Sequence, residues 1–177
     1  MNRLKGKLGI CESSSRVKVA AAHAHFGEEG PLVGQFGSGT IIFSGCNLPC
    51  VSCQNWRIRH KGGGSFIGDV ALGRLMLQLQ RMGCHNINLV TPTHVVANIV
   101  QALRTAVAGG LRIPLVYNCS GYEPQGVLCH LDGIIDIYLV DFKYSAGPMA
   151  ARYSKDTPDY PEVAAATISE VHHQVGT

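Results

Sequence analysis

Three cysteines, Cys46, Cys50 and Cys53, are separated by three residues and then by two within GTIIFSGCNLPCVSCQN, the segment from Gly39 to Asn55. They follow a β-branched and aromatic run, Thr40-Ile41-Ile42-Phe43, so a loop of thiols begins where a strand ends. Close thiolates are soft metal ligands. A cubic iron–sulfur cluster takes one external ligand on each iron, normally four cysteines. Three close cysteines would hold three corners and leave one iron open to something else. A structural zinc site is instead closed by four protein ligands, usually as two pairs far apart in sequence. One tight group with no second pair favours the open cluster, with His60 as the nearby residue that could close a Cys3His zinc site. Cys50 and Cys53 also have the spacing of a thiol redox pair, but Cys46 and the preceding strand fit a cluster better.

The elements that must position this loop alternate. Val70, Leu72, Leu75, Leu77 and Leu79 predict a helix over 66–82 that Gly83 ends. Residues 87–90 form a short buried strand, Thr91-Pro92-Thr93 a turn with capping chemistry, and 95–108 a helix stopped by Gly109-Gly110. Strands over 113–118 and 134–142 and helices over 125–130, 148–153 and 160–174 complete the pattern. Four strands alternating with helices on short links predict parallel βαβ units. Such units gather ligands at the carboxyl ends of the strands. The cysteine loop, Thr91 to His94, Asn118 to Gly121, and Asp141 with Lys143 each follow a strand, so all are expected on one rim.

Before the loop the periodicity is weak. Residues 1–36 read as a lead-in segment with a short strand at 16–19, and residues 37–177 as the α/β core domain. His23 and His25 flank Ala24 and face one side of an extended segment, either as a metal-binding pair or as polar surface. After the cysteines, RIRHKGGGS reads as a flexible basic connection.

The cysteine spacing in its context, GTIIFSGCN and CQN, and the later stretches INLVTPTH, PLVYNCSGYE and DIYLVDFKY resemble the radical S-adenosylmethionine (radical SAM) enzymes. Within them the chain looks most like the branch of pyruvate formate-lyase activating enzyme homologues, over most of its length after residue 36. The resemblance implies that Cys46, Cys50 and Cys53 hold a [4Fe-4S] cluster whose open iron binds the amino and carboxylate groups of SAM. An electron from the cluster would cleave SAM to methionine and a 5′-deoxyadenosyl radical. It further implies an oxidoreductase that abstracts hydrogen from a glycine of a partner glycyl-radical enzyme, with a flavodoxin or ferredoxin as electron donor. No side chain is assigned as catalytic, because the cofactor carries the hard chemistry. The alternative is a non-catalytic iron–sulfur or zinc-binding fragment of such a protein. The family core resembles a partial (βα) barrel of about six βα units, each of roughly 30 residues. The chain after Cys46 accommodates about four, so it reads as a C-terminally shortened member with an exposed parallel edge at 136–142. NRLKGKLGIC resembles the tail of a cysteine-rich N-terminal region, which leaves Cys11 as a lone thiol.

Two positions depart from the family. The residue before the third cysteine is commonly aromatic and contacts the adenine of SAM; here it is Ser52, and the lost stacking face weakens binding by about 1 kcal/mol. Where many relatives carry a Gly-Gly-Glu-like motif, this chain reads Thr91-Pro92-Thr93-His94, whose hydroxyls either meet SAM or cap a helix. Asp141 and Lys143 alternate with Phe142 and face one way, as a buried salt pair or as polar contacts to a ligand. The candidate cofactor-contacting residues are therefore Ser52, Asn55, Thr91, Thr93, His94, Asn118, Asp141 and Lys143. Cys84, Cys119 and Cys129 have no ligand spacing and are expected to be buried small apolar residues.

The 177 residues suit a single domain, and 46% hydrophobic with 15% charged residues is a globular composition. A net charge of +3 on scattered basic residues is too mild to argue for nucleic acid. No apolar run has the length of a membrane span, and MNRLKGKLGICESSS lacks the apolar centre of a signal peptide, so a cytoplasmic location is expected. Seven cysteines without an export signal argue for reduced thiols and a metal or cluster rather than a disulfide framework.

Overall fold

The computed structural model describes residues 9–11, 13–60 and 63–176, without the side chains of residues 59 and 60. Most of NRLKGKLGIC and the His60 side chain lie outside the described residues. The elements in chain order are β1 (Val17–His25), α1 (Gly30–Val33), β2 (Ser38–Phe43), α2 (Trp56–His60), β3 (Ser65–Ile67), α3 (Asp69–Arg81) and β4 (Ile87–Val90). A 3-10 turn (Thr93–Val95) then leads into α4 (Val96–Ala108), β5 (Leu115–Cys119), α5 (Gln125–Leu128), β6 (Ile137–Val140), α6 (Gly147–Tyr153) and α7 (Tyr160–Val175).

The strands form one open six-stranded sheet in the order β3-β1-β2-β4-β5-β6. From β2 through β4 and β5 to β6 every pairing is parallel, whereas β1 runs antiparallel to both β2 and β3. Residues in register share a face of the sheet. Ile41, Leu89 and Tyr117 lie in register and are buried in the main core with Leu72 and Met76 of α3 and Ile99 and Ala102 of α4. Full burial of such a side chain contributes about 1.5–3 kcal/mol. Ile42, Val90 and Asn118 lie in register on the opposite face and border a cavity.

The bounds differ from the sequence expectation where tertiary pairing decides. Residues 16–19 predicted a short strand, but β1 runs on to His25 because Ala21 to His25 pair with β2. Residues 17–25 of the lead-in thereby belong to the sheet. Residues 57–60 of the basic stretch expected as a flexible connection lie in α2, while residues 61 and 62 are outside the described residues, and Phe66 leaves the expected helix to pair with Lys18 as part of β3. The last strand, expected over 134–142, is confined to Ile137–Val140 at the sheet edge, and its four residues are half-buried. Among the described residues no helix is long and apolar enough to cross a membrane.

The α3–α4 crossing depends on Gly73, where an added Cβ would lie 2.5 Å from the Ala102 carbonyl oxygen and 2.9 Å from Thr105 Cβ. Helix propensity alone would make Ala better than Gly there by about 1 kcal/mol. The close approach reverses that sign. Gly73→Ala is expected to destabilise the protein by roughly 1–3 kcal/mol in urea unfolding, the usual cost of overpacking; a variant as stable as the parent would mean that the two helices do not meet this closely.

Candidate functional site

A cavity of about 580 Å³ opens at the carboxyl ends of the parallel strands. The cysteine loop supplies Cys46, Cys50, Ser52, Cys53 and Asn55 to its wall, and the ends of β4, β5 and β6 supply Thr91, Asn118, Asp141 and Lys143. His23 and His25 of β1 border the same space, their rings 5.7 Å apart and edge to face. A volume of this size suits a small-molecule or cofactor ligand.

The cysteine loop is pinned along its length. Gly45, at φ +90°, packs against the Cys11 carbonyl, where no side chain fits. Asn47 Nδ2 donates to the Tyr122 carbonyl at 2.5 Å, and the Val51 N–H to the Tyr153 carbonyl at 2.9 Å. Leu48 and Cys50 are buried in a second, smaller core with Ala150, Tyr160 and Ala164, against which Cys46 and Cys53 also pack. The thiols have local partners: the Leu48 N–H reaches Cys46 Sγ at 3.3 Å, and the Ser154 hydroxyl reaches Cys50 Sγ at 3.2 Å. None of the seven cysteines is in a disulfide.

Among the described residues no three His, Cys, Asp or Glu side chains converge as a ready-made metal site. The three thiols share a cavity wall without meeting at one point. The donor set still fits an iron–sulfur cluster held by three corners: three soft ligands from one anchored loop, no carboxylate within that loop, and a cavity with room beside them. Thr40 and Ser120 add polar groups to the lining. Asn88, in register with Thr40, is fully buried, and neither its side-chain nitrogen nor its oxygen has a hydrogen-bond partner; the half-buried Ser120 hydroxyl is likewise unpartnered.

Six of the eight expected cofactor-contacting residues line this cavity, and two do not. The backbone after β4 enters the 3-10 turn through Thr91 at φ +59°, which carries Thr93 and His94 away from the opening. Thr93 donates to Glu123 Oε1 at 2.7 Å, and the buried His94 ring hydrogen-bonds the Ser44 carbonyl at 2.8 Å, so both tie loops together instead. Asp141 and Lys143 are paired at 2.5 Å, but on an exposed rim rather than as a buried salt pair. Burial lowers the Lys143 ammonium's pKa, yet the hydrogen bond and charge of Asp141 outweigh it and leave the group raised. An exposed pair of this kind adds little to stability, which leaves both groups available to a ligand. Cys84 and Cys119 are buried as expected, whereas Cys129 is exposed at the end of the short α5.

Four residues outside the sequence expectation organise the rim. Glu123 is 1% exposed and receives hydroxyls from Thr93 and, at 2.9 Å, Tyr117. Tyr160 is fully buried, with its hydroxyl within 2.9 Å of the Ser120 and Asp141 carbonyls and the Lys143 N–H. Ser154 and Tyr144 stand behind Cys50, 2.9 Å from each other. Glu123 and Tyr144 had a sequence signal, as the ends of PLVYNCSGYE and DIYLVDFKY.

No protein-family model matches the chain. An uncharacterized protein of Methanocaldococcus jannaschii is 32% identical to it over 139 residues, which is 74% of this chain and 39% of that relative's length.

Burial raises the Glu123 carboxyl above its ordinary value, although the hydroxyls of Thr93 and Tyr117 and the Cys119 thiol oppose the shift by favouring the charged form. An acid raised in the folded state contributes fully below its unfolded value, about 4.3, and loses that contribution as pH rises through the folded one. Glu123→Gln cannot ionise. The stability of the wild type minus that of this variant is therefore expected to fall as pH rises from about 4, read by thermal unfolding at a series of pH values; a flat difference would mean that the carboxylate is solvated.

Proposed function

We propose that this chain is a radical SAM iron–sulfur enzyme of the activating-enzyme type, its four parallel strands forming part of a (βα) barrel. The observation that carries the reading is one anchored loop that delivers three thiols to a single cavity at the carboxyl ends of four parallel strands. Cys46, Cys50 and Cys53 would hold a [4Fe-4S] cluster, with SAM among Ser52, Asn55, Thr91, Asn118, Asp141 and Lys143. When bound, these groups supply the one-electron cleavage of SAM to methionine and a 5′-deoxyadenosyl radical.

The residues of the chain itself bind, orient and exclude water. Lys143 and Asp141 offer one charge of each sign at the rim, suited to a ligand that carries both a carboxylate and an amine. Asn118 offers an amide to the polar part of such a ligand. Thr93 and His94 act at one remove by holding the rim loops. A glycyl-radical enzyme as substrate, a flavodoxin or ferredoxin as electron donor, and a cytoplasmic location belong to the same reading.

Anaerobic reconstitution with iron and sulfide is expected to load about four irons per chain, and reduction in the presence of SAM to release 5′-deoxyadenosine. Cys50→Ala should bring bound iron close to background. Unchanged iron in that variant would overturn the ligand assignment, and zinc bound in place of iron would make the loop a structural site.

A further inference from the structure

Ser154 follows the last residue of α6 and is fully buried. Its N–H donates to the Ala150 carbonyl at 2.8 Å, and the carbonyl of the preceding Tyr153 accepts the Val51 N–H from the cysteine loop. The backbone is thus bonded on both sides of the contact between the Ser154 hydroxyl and Cys50 Sγ, which holds the oxygen against the sulfur. Cys50 itself is buried, so water does not compete freely for that sulfur.

A serine hydroxyl has one proton to give, and Ser154 has two neighbours, Cys50 Sγ at 3.2 Å and the Tyr144 hydroxyl at 2.9 Å. When Cys50 is a thiolate, the charged sulfur is the stronger acceptor. Ser154 then donates to sulfur, and the Tyr144 hydroxyl, which also lies 3.5 Å from the Tyr153 carbonyl and within hydrogen-bond reach of Cys50, donates to Ser154 or to the sulfur directly. The row Tyr144, Ser154, Cys50 gives each proton an acceptor and directs both dipoles toward the negative charge.

We infer that Ser154, backed by Tyr144, is a positioning residue for Cys50, which orients its sulfur and stabilises negative charge on it. The inference rests on the cluster reading above. Hydrogen bonds to ligand sulfurs favour the reduced, more negative form of a cluster and so raise its potential. Ser154→Ala removes the donor without adding volume. It is expected to leave iron per chain unchanged and to shift the cluster to a more negative potential, a tenfold loss in stabilisation of the reduced form reading as about 59 mV for one electron. Tyr144→Phe keeps the serine and is expected to shift the potential the same way by less.

The experiment is an anaerobic redox titration of reconstituted wild type, Ser154→Ala and Tyr144→Phe, followed by electron paramagnetic resonance, with iron counted in each. Iron lost from Ser154→Ala while its far-ultraviolet spectrum is unchanged would overturn the inference in this form, since the variant is expected to keep its full iron. A full cluster at an unchanged potential in Ser154→Ala would overturn the inference. A wild-type protein that takes up no iron is a failure of the cluster reading instead, so the two failures are distinguishable.

Discussion

The parallel pairing of β2, β4, β5 and β6 is the constraint on which the rest of the molecule depends. Parallel strands joined by crossovers all finish on the same side, so the loops that leave them share one rim. Register then sets the heights: Ile42 lies beside Val90, Val90 beside Asn118, and Asn118 beside Leu139. A slip of β4 by one residue would turn Leu89 toward the cavity and Val90 toward the helices. The burial of Ile41, Leu89 and Tyr117 against α3 and α4 opposes such a slip. The apolar face of the sheet thereby fixes where the polar groups of the other face stand.

Strand ends give a rim its position but not its shape, and here the shape is held by buried polar side chains. The Tyr160 hydroxyl joins the chain after β5 to the chain after β6, Glu123 joins the 3-10 turn to β5, and His94 joins that turn to the end of β2. Each such bond contributes only about 0.5–1.5 kcal/mol net, whereas a buried partner left unsatisfied costs about 1–3. These contacts therefore select one loop conformation more than they add stability. A site whose polar groups are already placed spends less binding energy on ordering them.

What was legible in the sequence was local. The run Thr40 to Phe43 and the thiols behind it could be read because β-branched residues and loop chemistry adjoin one another, and α4 because its apolar spacing and its glycine stop agree. The second half of β1 could not. Ala20 to Ala24 has little intrinsic strand preference, and its extended form comes from pairing with β2. Phe66 was absorbed into a helical pattern because its edge partner lies nearly fifty residues earlier in the chain. Alternation placed Asp141 and Lys143 on one side correctly, but spacing cannot tell a buried pair from a rim pair. Ser154 lies 104 residues from Cys50, and nothing between the two links them until the chain has folded.

The cysteine loop has no helix or strand of its own from Ser44 to Asn55, and its conformation is imposed from outside. Residues 11 and 13 lie against Gly45, Tyr122 holds Asn47, and the C-terminal end of α6 holds Val51 and Cys50. The backbone is therefore fixed at points before, within and after the Cys46–Cys50 interval. It follows that the loop's geometry belongs to the whole fold. The lead-in before β1 and the helix after β6 both contribute to it, although neither carries Cys46, Cys50 or Cys53.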